Sequence, residues 1–545
     1  MKNTIELANL LFPDVNITRD QLIKSNTKRE YKTTVTRFAP SPTGFLHIGG
    51  VYTALIDYFI AKQSEDGVFI LRIEDTDKKR EVENSKQIIC DCFKEFGIKI
   101  DEGVISENEQ IGNYGSYIQS ERLGYYHILA KYLVEQGFAY PCFATEEELQ
   151  DIRDKQTSQN KTPGYYKQYA IYRDAKLDVI KNKLKENNNK FVLRFRVPDD
   201  IEERVSFDDR IKGFVEMENN VNDFVLLKEN SIPTYHFAHA CDDHLMGTTI
   251  VIRGDEWLSS IPVHLQLFSA LEFDLPTFAH VAPIMKLDGE SRRKLSKRKD
   301  PESSAEFYLE KGYPIRAVYA YILTLINSNF EEWYLNNIDR DLMEYKVDFD
   351  NMSRSGSLYD IVKLNSISSE IIYNISLEDN FNNLVKWAMK YDKEVLNRIN
   401  SDVDFVKRLL STQGPLSNEK RKDMVCYSDF MHMFGPLYND VFESNINKEL
   451  LNENIKLEHQ EEVISEIINY FTNDTEETLK DISKKLGYVD KKKFAKDPEA
   501  YKGVVFNFYK GLRLLLTNQE HGISLDDIIL VLSKEEKLRR IGMYK

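Results

Sequence analysis

The stretch TTVTRFAPSPTGFLHIGG, residues 33–50, decides how this chain is read. Its first part, TTVTRFA (33–39), is rich in β-branched residues and reads as a strand. The remainder, 40–50, is a loop of proline, serine and glycine. From about residue 51 to 63, apolar positions including Leu55 and Phe59 recur at helical spacing. GVFILRIED (67–75) then reads as a second strand of the buried type. Strand, glycine-bearing loop, helix and strand make a βαβ unit, as at the head of a Rossmann-like parallel sheet. That placement gives the loop a chemistry. His47, Gly49 and Gly50 stand where a helix opens, and the N–H groups and dipole of a helix start favour phosphate. Glycines let a nucleotide approach the backbone, and an imidazole can donate to phosphoryl oxygens as charge develops. Taken alone, the loop is equally a strand-to-helix turn with an incidental histidine.

Working outward, residues 1–30 form a polar, helix-prone extension, and 31–138 the first half of the sheet domain. Between 139 and 222 the alternation becomes irregular. KFVLRFRVP (190–198) and IKGFVEME (211–218) read as strands after a polar helical segment, so an inserted α+β subdomain is expected there. DFVLLK (223–228) and TTIVIRG (248–254) restore the buried-strand pattern, followed by a helix at about 263–271. Residues 223–330 are therefore expected to resume the same sheet. Beyond about 330 strands nearly vanish, and amphipathic runs such as LKDISKKL and YKGLRLLL predict helical regions over 331–375 and 376–545.

Composition sets outer bounds. The 545 residues suggest about three to four domains. With 42% hydrophobic and 30% charged residues, the chain suits globular cores and not a disordered or fibrous state. No apolar run is long enough for a transmembrane helix, and the first twenty residues lack a signal-peptide pattern. Five scattered cysteines (Cys90, Cys92, Cys142, Cys241, Cys426) fit reduced thiols in the cytoplasm better than a disulfide framework. The net charge of −15 argues weakly against a nucleic-acid partner, yet local basic runs at 294–299 and 491–493 keep one open.

The second basic motif lies far downstream, at Lys294-Leu295-Ser296-Lys297-Arg298. It follows APIMKLDGESRR, a strand-like piece and a polar loop. Two lysines three apart on a mobile loop can clamp a pyrophosphate leaving group, although such a run is ordinarily a solvated basic loop. Together the two motifs resemble the HIGH and KMSKS signatures of class I aminoacyl-tRNA synthetases in order, separation and position. Flanking stretches narrow the resemblance to the glutamyl-tRNA synthetase family: LRIEDTD (71–77), QSERL (119–123), PTYHFAHACDDHLMGTTIVIRGDEWLSS (233–260) and KLSKRK (294–299). The end of the chain, LRLLLTN and IILVLSKEEKLRRI, is similar in style. Glutaminyl-tRNA synthetases typically read RFDDTNP where this chain reads RIEDTD, with Glu74 and Asp77. The shorter relative that glutamylates queuosine lacks an anticodon domain, whereas more than 200 residues follow the lysine loop here.

The resemblance implies a class I Rossmann-like α/β catalytic domain with an α+β insertion that holds the acceptor stem. A stem-contact helical region over 331–375 and an all-α anticodon-binding region over 376–545 would follow. It implies an ATP- and Mg2+-dependent ligase joining L-glutamate to tRNA(Glu), with tRNA(Gln) as a further possible acceptor, in a monomer. Arg37 and Arg253 would read the carboxylates, Glu74 would face the ammonium, and Ala39, Ser41, Tyr235 and His239 would complete the glutamate pocket. His239 departs from the family's pattern, which tends to carry Asn there. For ATP, the resemblance implies His47, Gly49, Gly50, Trp257, Leu295 and Lys297, with His47, Lys297 and Lys294 catalytic. Many relatives carry a C-x-C with further ligands after the first sheet half. Here YPCFATEEEL leaves Cys142 alone, with Ala144 in the second place, so no structural zinc is expected. Cys142 is read instead as a small buried residue.

Overall fold

A computed structural model describes residues 2–26, 29, 33–77, 81–296, 298–414, 421–473 and 476–545. The chain divides into two compact units, Met1–Phe307 with Ile322–Asp360, and Tyr308–Tyr321 with Ile361–Lys545.

The first unit opens with helices α1 (Lys2–Leu11) and α2 (Arg19–Asn26). β1 (Val35–Phe38) follows, with all four residues buried, which suits a parallel strand covered on both faces. Then come α3 (Ile48–Lys62), β2 (Val68–Leu71), α4 (Ser85–Phe96), β3 (Glu102–Val104), the edge strand β4 (Gln110–Ile111) and α5 (Leu123–Glu135). The middle of the unit carries β5 (Ala139–Cys142), α6 (Glu146–Ser158), α7 (Leu177–Glu186), β6 (Val192–Phe195), β7 (Arg204–Asp209), β8 (Gly213–Glu218) and β9 (Val225–Leu227). α8 (Tyr235–Leu245), β10 (Ile250–Gly254), α9 (Ile261–Ala270) and β11 (Thr277–Val281) complete the sheet, and β12 (Met285–Asp288) and β13 (Ser291–Lys294) form an antiparallel hairpin.

β1 pairs in parallel with β2, β2 with β3, and β10 with β11. Thr249, at the foot of β10, joins the halves. Its N–H donates to the Val35 carbonyl at 3.0 Å, and its hydroxyl accepts from the Val35 N–H at 2.8 Å. The parallel order is thus β3-β2-β1-β10-β11, with chain direction switching sides between β1 and β10. In such sheets a crevice opens beyond the carboxyl ends of the strands at the switch. Arg37 on β1 and Arg253 on β10 stand near those ends.

Two expected sheet assignments are corrected. DFVLLK was expected in the catalytic sheet, but β9 within it pairs antiparallel with β6, and β6 with β5, in a separate three-stranded sheet. The hairpin β7–β8, expected inside the insertion, reaches β11 through Asp209 and Phe278 and extends the catalytic sheet. An apolar run announces a buried strand without naming its neighbour, so periodicity could not choose between the sheets.

Cys142 is buried beside Tyr140, Tyr165 and Ala170, with its Sγ 3.3 Å from the Tyr165 hydroxyl. All five cysteines are free and buried. Among the described residues, no helix is long and apolar enough to cross a membrane.

The second unit is helical. Among the described residues its strands are two short paired segments, Tyr488–Val489 and Gly503–Val504. Leu384, Leu409, Phe430, Phe434, Ile467 and Leu512 belong to one continuous apolar core of this unit.

Candidate active site

A cleft of about 800 Å³ lies at the switch point, lined by Arg37, Glu74, Tyr235 and Arg253 on one side and by His47, Gly49, Gly50, Trp257 and Lys294 on the other. Both arginines are buried. Arg37 donates from Nε to Asp243 on α8 at 3.1 Å and from Nη1 to the Ile252 carbonyl at 3.2 Å. Asp243 also accepts from Arg72 at 2.6 Å, and Arg72 donates in turn to Glu74 at 3.1 Å. Burial would raise the Asp243 carboxyl, but Arg37 and Arg72 outweigh it and hold it below the usual carboxylate range. Glu74 has less help. Burial pushes its carboxyl up against the pull of Arg72 and Arg37, so an arriving cation would relieve it.

Arg253 is placed differently. Its Nε donates to His280 Nε2 at 3.1 Å and its Nη2 to His264 Nδ1 at 3.1 Å, while Nη1 lies 3.5 Å from His239 Nε2. Among the described residues no carboxylate comes within 4 Å of it. A buried guanidinium without an anion is costly, and burial correspondingly lowers its proton affinity. A ligand carboxylate would complete it. Tyr235 stands over this floor, 4.2 Å from Trp257 between ring centroids.

On the nucleotide side, His47 caps α3: its Nδ1 accepts from the Gly49 N–H at 2.9 Å. In the neutral ring the proton then sits on Nε2, which makes His47 a donor. A Cβ on Gly50 would meet Leu46 at 3.0 Å and Phe38 at 3.4 Å, so its smallness also serves loop packing. Ala39 and Ser41 line the cleft. Lys294 lines it too, half-exposed, with Nζ 3.6 Å from Glu256.

Two expected site residues do not line the cleft. His239 is fully buried, with Nδ1 3.1 Å from Asp243 Oδ2, and lies behind Arg253 and the Tyr235 ring, which line the cleft in front of it. An imidazole on the inner face of α8 packs among its neighbours and cannot reach past the guanidinium. Leu295 is also buried, and its N–H donates to the Ile284 carbonyl at 3.1 Å, tying down the end of β13. Lys297 lies outside the described residues.

Some site residues escaped the sequence reading. Asp243 and Arg72 organise the floor, and an Asp-Asp pair inside the apolar run ACDDHLM was the available signal. Asp300 anchors the lysine loop: it accepts both arms of Arg293, at 2.6 and 2.8 Å, and the Ser296 N–H at 2.9 Å. Arg293 holds its carboxyl well below the usual range.

Residues 33–366 match the family described as tRNA synthetases class I (E and Q), catalytic domain. The chain therefore belongs to the class I tRNA synthetases of that family, as its parallel sheet and switch-point cleft also indicate. The relatives it matches along its length are glutamate–tRNA ligases. It is 41% identical to that of Clostridium perfringens strain SM101, over 99% of both chains, and 40% identical to that of Acetivibrio thermocellus, over 98% of both. Among solved structures, a glutamate tRNA ligase from Elizabethkingia meningosepticum in complex with its amino acid resembles it with a TM-score of 0.72 at 26% identity. That match covers 94% of this chain and 99% of the other.

Proposed function

We propose that this chain is an ATP-dependent glutamate–tRNA ligase that forms glutamyl-adenylate and passes the glutamyl group to the 3′ end of tRNA(Glu). One observation carries the choice of amino acid: Arg253, buried and facing the cleft, has no carboxylate partner among the described residues. A fork of this kind, with Arg37 beside it and Glu74 opposite, suits a ligand with two carboxylates and one ammonium. Ala39, Ser41 and Tyr235 complete that pocket. Neutral glutamine would leave the guanidinium buried without an anion and be rejected by several kcal/mol, on the order of a charged group left unpaired.

The glutamate α-carboxylate attacks the α-phosphorus of ATP in line, and pyrophosphate leaves. The terminal ribose hydroxyl of the tRNA then attacks the adenylate carbonyl and AMP departs. No protein nucleophile is needed; positioning and charge stabilisation carry the rate. His47 donates to phosphoryl oxygens from the start of α3, beside Gly49 and Gly50, Trp257 borders the nucleotide, and Lys294 and Lys297 meet the departing pyrophosphate. Among the described residues no three His, Cys, Asp or Glu side chains are arranged to hold a metal. Mg2+ would arrive on the ATP phosphates, where it supplies charge neutralisation. The inserted subdomain holds the acceptor stem, the region 331–375 touches the tRNA stem, and the helices of 376–545 read the anticodon, in a cytoplasmic monomer.

Lys297→Ala tests the loop assignment. Adenylate formation is expected to slow greatly while tRNA binding persists; equal kinetics for variant and wild type would reject the role. Aminoacylation of separated tRNA isoacceptors decides whether tRNA(Gln) is also charged.

A further inference from the structure

We propose that His239, His264 and His280 act as positioning residues: three neutral imidazoles close around Arg253, aim its remaining N–H groups at the cleft, and set how strictly the site demands a carboxylate. The proposal rests on the reading of the cleft as an amino-acid site. A guanidinium offers five N–H donors and no lone pair, so every ring nitrogen facing Arg253 is an acceptor. His280 Nε2 and His264 Nδ1 each accept at 3.1 Å, and His239 Nε2 lies at 3.5 Å. Behind each ring stands a polar neighbour, hydrogen-bonded at His280 and His264 but not at His239, whose Nδ1 makes no hydrogen bond. Asp209 Oδ2 is 2.6 Å from His280 Nδ1, Asp243 Oδ2 is 3.1 Å from His239 Nδ1, and His236 Nδ1 is 3.0 Å from His264 Nε2. The rings come from three elements, α8, α9 and β11, and all three are fully buried.

Buried histidines usually do no more than satisfy neighbouring polar groups. Here three ring nitrogens face one cation that pairs with no carboxylate among the described residues. A carboxylate in place of any ring would satisfy the same donors but cancel the charge and compete with the ligand. Imidazoles satisfy the donors and leave the charge in force. The charged and titratable neighbours agree with a neutral collar. Asp209 and Lys212 stand beside His280, Asp243, Arg37 and Arg72 beside His239, and Tyr235 and Glu74 complete the surroundings. A protonated ring would set a second cation against Arg253. Burial first, then Arg253 itself, lowers the proton affinity of His239; at His264 the neighbouring His239 adds to both.

The test is aminoacylation kinetics of the full chain with glutamate and with glutamine. His264→Phe keeps the volume but removes the acceptor. It is expected to raise the KM for glutamate at least about tenfold, leave the KM for ATP within about twofold, and narrow the glutamate-over-glutamine ratio of kcat/KM at least about tenfold. His264→Gln, whose amide oxygen can accept, is expected to recover most of that loss. If His264→Phe does not fold, as judged by its thermal midpoint, His239→Leu carries the same readout and His239→Asn the same rescue. A KM for glutamate that rises no more than that for ATP, an unchanged glutamate-over-glutamine ratio, or His264→Gln no better than His264→Phe would overturn the collar alone. A wild-type chain that charges no tRNA with glutamate would overturn the underlying reading as well.

Discussion

Arg37 and Arg253 sit on neighbouring parallel strands, yet their surroundings assign them different work. Arg37 is already paired with Asp243, whereas Arg253 is held by ring nitrogens and keeps its charge for a ligand. Removing one member of a buried, hydrogen-bonded charge pair costs about 2–5 kcal/mol. Arg253→Gln is therefore expected to lower kcat/KM for glutamate roughly 30-fold or more. Arg253→Lys is expected not to restore it, since an ammonium lacks the planar fork. Steady-state aminoacylation checks both, and a loss under about threefold would contradict the assignment. At this scale the sequence was informative about which residues line the cleft and silent about the layer beneath. Arg37, Glu74, Tyr235 and Arg253 stood in recognisable motifs. The collar could not be foreseen, because His264 and His280 come from α9 and β11 and only tertiary packing brings their lone pairs to one cation. For the same reason His239 was expected as a ligand contact and lies behind one.

Among the elements, α8 does the most. One face carries Asp243 toward the cleft, and Asp242 turns the other way to accept from Arg122 at 2.7 Å, Tyr126 at 2.6 Å and Gln119 at 3.1 Å, all buried. Asp242→Ala leaves the Arg122 cation buried without its anion and is expected to destabilise the first unit by about 3–5 kcal/mol in chemical denaturation. A change below about 1 kcal/mol would contradict that account. At the end of α8, His244 stacks on Phe273 with ring centroids 3.7 Å apart. Burial, aided by Arg19, lowers its pKa to about 4. A histidine whose folded pKa is depressed contributes its full stability above the unfolded value of about 6.5 and loses it as pH falls toward about 4. His244→Phe keeps the stacking and cannot titrate. Relative to wild type it is expected to gain up to about 1.4 kcal/mol per pH unit across that window. Parallel stability curves for the two proteins would contradict this. Element types were readable from periodicity, since β1, α3 and β2 fall where residues 33–75 placed them. Strand partners were not, because β9 and the β7–β8 hairpin exchanged sheets without any change in their apolar pattern.

Across the whole molecule, one apolar core, from Ile372 to Tyr544, lies within the second unit. Trp257 and Trp333 belong to the first unit and Trp387 to the second. Urea unfolding is therefore expected to depart from a single two-state transition. Leu512→Ala is expected to cost about 2–5 kcal/mol in the helical unit. It should lower the midpoint reported by Trp387 more than that of Trp257 and Trp333; equal shifts at all three would contradict a core that serves the second unit alone. The net charge of −15 spoke weakly against an RNA substrate, and the whole-length likeness to glutamate–tRNA ligases shows how little such a sum decides. Joint use of glutamate, ATP and tRNA is read out by ATP–pyrophosphate exchange measured with and without tRNA(Glu). Exchange that depends on glutamate and is not supported by glutamine is the expected result; no glutamate-dependent exchange under either condition would contradict it.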